Sequence, residues 1–471
     1  MISQEFLRSI AAEHGVSKAE LEVLSLATSG QSTAAIAQQI GISGDAVRKR
    51  LSEVYHKFQI PGRGPVKLTK LQQILVNRYQ AYLASQAANS TNGSASDRPG
   101  SQATVPAQVN WGTAPDISSF YGRLNDLGLL EQWIVKDRCR LVAILGIAGI
   151  GKTALSVKLA KQLQDRFEFT IWRSLRHAPP IQELLADWLQ HLPDPANGMQ
   201  HLPDPDDVPS RNKIDLCISH LLDRLRHHRC LLVLDDVSAI LESEQLAGHY
   251  RSDYENYGHL FKRLGEEPHQ SCLMLSSREK PVEIACLEGA TLPIRSLKLK
   301  GLTEGARQIL EAKGLAGKNT WQYLIELYRG NPLALKMVST TVNELFGGNV
   351  SEFLKYETLL VGDIASLLDQ QFQRLADSEK EVLYTLTISG KPVSLAMLRQ
   401  EISSPLANSE LMEVLKSLER RSLIEKASSP EKASGEVLFT LQPLVMKHIK
   451  ENHLPVDLTI AADTPQSSLE S

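Results

Sequence analysis

The sequence predicts a multidomain chain: an all-α helix-turn-helix head, an α/β body on a parallel sheet, a helical subdomain and a winged-helix domain. Three observations carry this reading. Residues 118–297 alternate short apolar, β-branched runs (RLVAILG, FTIWRSL, CLLVLDDV, SCLMLSS) with helical stretches, the pattern of parallel strands joined by crossover helices. A Ser-, Ala-, Asn-, Gly- and Pro-rich stretch, residues 84–116, has little to bury and sets the first 83 residues apart on a tether. From Thr303 onward helical periodicity dominates, broken once by RSLIEKASSPEKASGEVLFTL (421–441), two strands around a polar turn of the kind that closes a winged helix. The expected boundaries are a head at 1–83, a flexible linker at 84–117, the α/β domain at 118–300, a helical subdomain at 301–362, a winged helix at 363–453 and a disordered tail at 454–471. A length of 471 residues fits three or more domains at about 150 residues each.

Composition narrows the classes. With 42% hydrophobic and 22% charged residues, fibrous, collagen-like and wholly disordered chains are excluded. No run approaches the roughly 18 apolar residues of a membrane helix; Leu141–Ile150 is interrupted by glycine, and the N-terminal segment carries Glu5 and Glu13 without the apolar core of a secretory signal. Cys139, Cys217, Cys230, Cys272 and Cys286 are widely spaced with no CxxC pair, and read as buried thiols of a cytoplasmic protein. The thirteen histidines show no HExxH or other paired-ligand spacing and support no metal assignment. Charge is distributed unevenly: residues 1–83 hold ten basic and six acidic groups, a net +4, while the chain as a whole is −3. A basic head on an acidic body suggests an anionic partner for the head.

Within the head, a helix around Glu20–Ala27 ends at Gly30, and Gln31-Ser32-Thr33 starts a second helix through Ile36, Ala37 and Ile40. Gly41-Ile42-Ser43 is a three-residue turn, with Ser43 placed to cap a third helix over 44–58. That helix buries Val47, Leu51, Val54 and Phe58 and presents Arg48, Lys49 and Arg50 where a recognition helix meets phosphates and base edges. Lys57, Arg63 and Lys67 extend the basic surface. The pattern favours DNA binding over the alternative, a helix-turn-helix used to dock a protein.

In the body, LVAILGIAGIGKTALSVKLAKQL carries G-x-x-x-x-G-K-[ST] between an apolar strand and an amphipathic helix. The glycines let the backbone N–H groups of Gly146, Ile147, Ala148, Gly149, Ile150 and Gly151 curl around a phosphate at a helix N-terminus that continues into Ala154. Lys152 would bridge β- and γ-phosphates and the Thr153 hydroxyl would ligate Mg²⁺. The strand LLVLDDV offers Asp235 for the cation and Asp236 for an attacking water. SCLMLSSREK ends in Ser276, Ser277 and Arg278, the last either a γ-phosphate sensor or a solvated loop arginine. Leu184, Leu185, Trp188 and Leu189 stand at helical spacing and read as core. The pentapeptide HLPDP, at 191–195 and 201–205, reads as a Pro-rich surface insertion.

Residues 118–452 resemble the NB-ARC branch of the STAND signalling ATPases. The family's aromatic–Gly–Arg element is matched by Phe120, Gly122 and Arg123, its aromatic strand by Trp172 and Arg173, its acidic pair by Asp235 and Asp236, and its arginine sensor by Ser277 and Arg278. KGLTEGA (300–306) is similar to the turn before its helical subdomain, and RGNPLALKMVS to its GxPLAL box, whose proline, here Pro332, packs on adenine. One element departs: where the family commonly carries Met-His-Asp, with the histidine on the β-phosphate of ADP, this chain has Gln442 and Pro443. Glu22, Val23, Leu24, Gly30, Ile36, Ala37 and Val47 make the head similar to LuxR-type DNA-binding modules, with AVR for the usual TVK. These resemblances imply an ATP/ADP- and Mg²⁺-dependent switch with slow ATP hydrolysis, in which Lys152 and Arg278 act on the phosphates and Asp236 on the attacking water. They further imply self-association on activation, a separate sensor or effector protein, and control of a DNA-binding head (Arg48, Lys49, Arg50, Lys57) in transcriptional or stress and defence signalling. The alternative is a scaffold ATPase whose head docks an effector protein.

Overall fold

The computed structural model describes residues 10, 16–28, 33–58, 71, 107–194, 210–356, 362–402, 406–428 and 437–455. Gly30, Gln31, Ser32, Arg63, Lys67, the linker up to residue 106, the second HLPDP and the tail from residue 456 lie outside them. The chain divides into two units, Met1–Ala103 and Thr104–Ser471.

The first unit contains α1 (Lys18–Thr28), α2 (Thr33–Ile40) and α3 (Gly44–Lys57). Gly41 takes a positive φ of 71° in the turn between α2 and α3, and the Ser43 Oγ accepts from the Ala46 N–H at 3.2 Å, the expected N-cap. Val47, Leu51, Val54 and Phe58 are buried, as their spacing predicts. Val47 and Leu51 pack with Val23, Ala27 and Ile36, while Val54 and Phe58 pack with Leu24.

The second unit opens with β1 (Gln108–Asn110), α4 (Leu124–Glu131), β2 (Leu141–Leu145), α5 (Lys152–Leu163), β3 (Phe169–Ser174), α6 (Ile181–His191) and α7 (Ser210–His227). It continues through β4 (Cys230–Asp235), α8 (Glu255–Glu266), β5 (Cys272–Ser277), α9 (Val282–Leu287) and β6 (Ile294–Lys298). The strands form one six-stranded sheet in the order β1-β3-β4-β5-β2-β6, every pairing parallel. Along β2 the side chains alternate between two cores: Leu141, Ala143 and Leu145 face one, Val142 and Ile144 the other. Leu184, Leu185 and Trp188 are buried in the first of these cores, as expected.

Two strands of this sheet were not expected. The segment read as linker ends early: Gln108–Asn110 pairs with Phe169–Ile171, and Trp111, Ala114 and Ile117 pack on the core. Trp111 and Ile117 give this end of the segment something to bury, whereas Val109 stays exposed on the edge strand. Ile294–Lys298 adds the other edge beside β2. The thiols also need correction: Cys139, Cys230 and Cys272 are buried, but Cys217 is half-buried and Cys286 is exposed, on the six-residue α9 that buries only Ile284.

The rest comprises α10 (Glu304–Ala312), α11 (Trp321–Leu327), α12 (Pro332–Phe346), α13 (Val350–Leu354), α14 (Gly362–Phe372), α15 (Asp377–Ser389), β7 (Val393–Ser394) and α16 (Leu395–Glu401). It ends with α17 (Asn408–Arg420), β8 (Ile424–Ser428), β9 (Val437–Leu441) and α18 (Pro443–Asn452). The expected hairpin is present: β8 and β9 pair antiparallel, and β7 joins β9 to make three strands. One continuous core runs from Leu302 to Ile449 through both the helical and the winged-helix segments.

Candidate nucleotide-binding site

The site forms at the carboxyl ends of the parallel strands, where open α/β sheets bind ligands. Strand β2 is fully buried, and the loop from Gly146 to Gly151 turns its chain into α5. Gly146, Gly149 and Gly151 have φ of 151°, 75° and 99°, conformations that cost a side chain-bearing residue strain. At Gly149 space decides as well: a Cβ would lie 2.8 Å from the Leu333 Cβ and 2.9 Å from the Asn331 Oδ1.

Lys152 folds over this loop, its Nζ donating to the Gly146 carbonyl at 2.9 Å and the Ile147 carbonyl at 3.1 Å. Burial lowers its pKa to about 8, helped by the nearby positive charge of Arg278 and opposed by Asp236 and Asp235. The Thr153 hydroxyl donates to Asp235, 2.9 and 3.1 Å from its two carboxylate oxygens. The Ser276 hydroxyl also donates to Asp235, and Ser276 Oγ accepts from the Asp236 N–H at 3.2 Å. Asp235 is buried and its pKa is raised by that burial, against the pull of Ser276, Thr153 and Lys152. A hydroxyl and a carboxylate held this way are the oxygen donors that Mg²⁺ takes.

The other expected residues divide. Asp236 has left-handed backbone, φ 60°, and accepts from the Ser238 hydroxyl at 2.8 Å. Arg278 has no hydrogen bond or ion pair among the described residues; its charge helps lower the Lys152 pKa, and its side chain lines a small cavity with Glu279, Arg374 and Arg421. Arg123 is a clamp: its guanidinium donates to the Ile150 carbonyl and the Lys300 carbonyl, both at 2.7 Å, and pairs with Asp126 at 3.0 Å. Gly122, with φ 65°, lies against Gly305, where a Cβ would come within 3.3 Å of the Gly305 Cα. Arg173, from the aromatic strand, pairs with Asp187 at 2.6 Å and donates to Asn110 at 3.0 Å, which ties down β1.

Asn331 is the residue the sequence reading passed over. Its side chain donates to the Ala148 carbonyl at 3.0 Å and accepts from the N–H groups of Leu333 and Ala334, so it caps α12 and holds the phosphate loop at once. The signal was available: Asn before Pro at the first turn of a helix is a capping pattern. Pro332 follows in a cavity of about 160 Å³, lined also by Phe120, Ala154, Ile309, Leu333 and Lys336. A larger cavity of about 510 Å³ begins at Ile147 and Ile150 and reaches Lys298, Glu425 and Gln442. Gln442 thus faces the same cavity as the phosphate loop.

On the head, the four predicted DNA contacts are not equivalent. Lys57 pairs with Glu20 at 2.6 Å, which lowers the Glu20 pKa, and Arg48 pairs with Asp45 at 2.7 Å. Lys49 and Arg50 make no ion pair among the described residues.

The NB-ARC domain model matches residues 125–257, and the model of bacterial regulatory proteins of the luxR family matches residues 14–66. The chain joins a luxR-family head to an NB-ARC domain. Residues of the matched NB-ARC segment supply the phosphate loop and Asp235, so nucleotide binding is the property this domain carries. An uncharacterized WD repeat-containing protein of Nostoc sp. is 44% identical over 360 residues. That match takes in 74% of this chain but only 27% of the relative, so the chain spans about a quarter of that protein's length. Among solved structures, a Walker-type ATPase of Pyrococcus abyssi is similar at 14% identity and a TM-score of 0.42, over 70% of this chain and 96% of that one. The ORC1 protein of Aeropyrum pernix, solved in complex with DNA, is similar at 14% identity and a TM-score of 0.32, over 72% of this chain and 94% of that one. No described helix is long and apolar enough to cross a membrane.

Proposed function

We propose that this NB-ARC chain is a nucleotide-dependent switch that controls a DNA-binding head. The observation that carries the reading is the position of Asn331: one side chain caps α12 and holds the Ala148 carbonyl of the phosphate loop. A nucleotide seated on the loop would have its phosphates at Lys152 and its base in the cavity beside Pro332. The phosphate loop and the helical segment are therefore one mechanical unit, and a change at the phosphates is felt at α12.

Lys152 would exchange its two loop carbonyls for phosphate oxygens. Thr153 and Asp235 would hold Mg²⁺, which supplies charge neutralisation at the phosphates. Asp236, kept in place by Ser238, would orient water, and Arg278, without an ion pair among the described residues, would sense the γ-phosphate. Hydrolysis in this reading is slow and serves to reset the switch. Gln442 supports a nucleotide-linked resting state in which its amide takes the donor role of the family's histidine. We assign the functional units to residues 1–83, 107–300, 301–362 and 363–453, the α/β unit beginning with β1 and not at 118, and place the protein in the cytoplasm in transcriptional or stress signalling, with self-association on activation.

The test is the nucleotide content of the purified protein, released by denaturation, beside a Lys152→Ala variant. Bound ADP or ATP in the wild type and none in the variant is the expected result. A wild type that is empty and also fails to bind added ATP would overturn the switch. A second reading, in which the head docks a protein, draws on the pairing of Lys57 and Arg48 with acidic neighbours, which leaves less free positive charge than the sequence promised. Retrieval of a protein partner through residues 1–83 without DNA binding would favour it.

A further inference from the structure

In the winged-helix segment, far in sequence from the phosphate loop, three side chains bring single donor atoms to one point. Asp369 comes from α14, His448 from α18, and His453 from the residue that ends α18. The Asp369 Oδ1 lies 3.1 Å from the His448 Nε2 and 2.8 Å from the His453 Nε2, and the two Nε2 atoms are 3.2 Å apart. His448 is 1% exposed, whereas Asp369 and His453 reach solvent. The His453 ring is fixed by stacking on Phe372, centroids 3.9 Å apart and planes 22° apart.

Hydrogen bonding alone leaves this triangle in conflict. Each Nε2 carries at most one proton, and the carboxylate carries none. If both imidazoles donate to Asp369, one oxygen accepts two N–H groups that crowd side by side, their nitrogens only 3.2 Å apart. If only one does, the other nitrogen turns a lone pair toward either the carboxylate oxygen or its neighbour. A cation between the three atoms removes the conflict, because all three lone pairs then point inward. The dimensions agree: a tetrahedral ion with bonds of about 2.0–2.1 Å holds its ligands about 3.3 Å apart, close to the 2.8, 3.1 and 3.2 Å edges found here.

We propose that Asp369, His448 and His453 bind a divalent transition-metal ion of the Zn²⁺ type, with water in the fourth position on the exposed side. Two imidazoles and a carboxylate suit such an ion better than Mg²⁺ or Ca²⁺, which prefer all-oxygen sites. The ion fastens α14, the first described helix after residue 361, to α18, the last described helix. It thereby ties the two ends of the winged-helix segment together. The spacing hid it: the two histidines are five apart, not three or four, and the carboxylate is 84 residues from the second of them.

The experiment uses the full chain, stripped with chelator and held in excess Mg²⁺ so that hard oxygen sites are filled. Titration with Co²⁺ should give the intense visible absorption of a tetrahedral N,O site, saturating at one equivalent and displaced by Zn²⁺. Zn²⁺ should also raise the melting temperature. Asp369→Asn and His453→Gln, both at solvent-reached positions, should weaken Co²⁺ binding more than about a hundredfold, beyond what loss of an outer-shell partner costs, and abolish the Zn²⁺-dependent rise. Absence of the tetrahedral band, or a band of equal affinity in both variants, would overturn the site.

Discussion

Lys152 combines a buried position with a pKa near neutrality, and this has a consequence in solution. With its pKa lowered to about 8, part of the free protein carries a neutral amine at mildly alkaline pH, while bound phosphates favour the ammonium. Nucleotide binding should therefore take up a proton between pH 8 and the usual lysine range, and affinity should fall as pH rises through that window. Calorimetry at pH 8.5 in buffers of differing ionisation enthalpy checks this; uptake of no proton would contradict it. The stability of the nucleotide-free protein should move oppositely. The unfolded chain binds more protons at this lysine, so the penalty is fully present below about pH 8 and relieved as pH rises toward the unfolded value. Gly149 makes a second prediction at this scale. Gly149→Ala places a Cβ 2.8 Å from Leu333 in a left-handed conformation, and should cost about 1–3 kcal/mol of stability together with nucleotide affinity. Chemical denaturation and nucleotide titration of the same variant check both.

At the scale of elements, the winged-helix segment is joined to the α/β sheet by buried charge. Glu279, two residues past the end of β5 and next to Arg278, pairs with Arg374 at 2.7 Å and with Arg421 at 2.6 Å. Arg421, at the end of α17, also donates to Glu379 of α15 at 3.0 Å and to the Gln245 carbonyl at 2.6 Å. Glu279, Glu379 and Arg421 are all nearly inaccessible to water. Removing one partner leaves unpaired charge in a dry place, which costs about 3–5 kcal/mol. Arg421→Met should lose that much in denaturant unfolding, and joint replacement of Glu279, Arg374, Arg421 and Glu379 by apolar residues should recover most of it. In the head the same reasoning separates Lys57 from its neighbours. Lys49→Ala and Arg50→Ala should each weaken DNA binding and reduce the salt slope by about one. Lys57→Ala, which only frees Glu20, should leave the slope nearly unchanged; filter binding across a salt series distinguishes them.

For the whole molecule, the proposed function requires two separable activities in one chain. Removal of residues 1–83 should leave nucleotide binding intact and abolish DNA binding, measured by nucleotide titration and by electrophoretic shift on the two proteins. DNA binding that survives the truncation would move the nucleic-acid contact into the body. In the full chain, assembly driven by ATP would gather several heads and convert weak single contacts into avid ones. Sedimentation with ADP and with ATP should then differ, and a single sedimenting species under both would contradict the assembly step.

The sequence alone determined whatever depends on residues close together in the chain. The phosphate loop is legible because a strand, six loop residues and a helix start must be contiguous to wrap a phosphate. The Ser43 cap, the apolar spacing of α3, the four central strands and the β8–β9 hairpin are local in the same sense. The tertiary structure alone decided what depends on pairs distant in the chain. Gln108–Asn110 is a strand only because Phe169–Ile171 offers it an edge. Asn331 matters only because the fold brings Ala148 to it from 183 residues away. Lys57 is a free cation in the sequence and half of an ion pair in the structure, because α1 packs on α3 and delivers Glu20. Asp369, His448 and His453 share no motif, and they become a site only where two helices meet. Periodicity and capping are written in neighbouring residues; convergence of side chains is a property of packing.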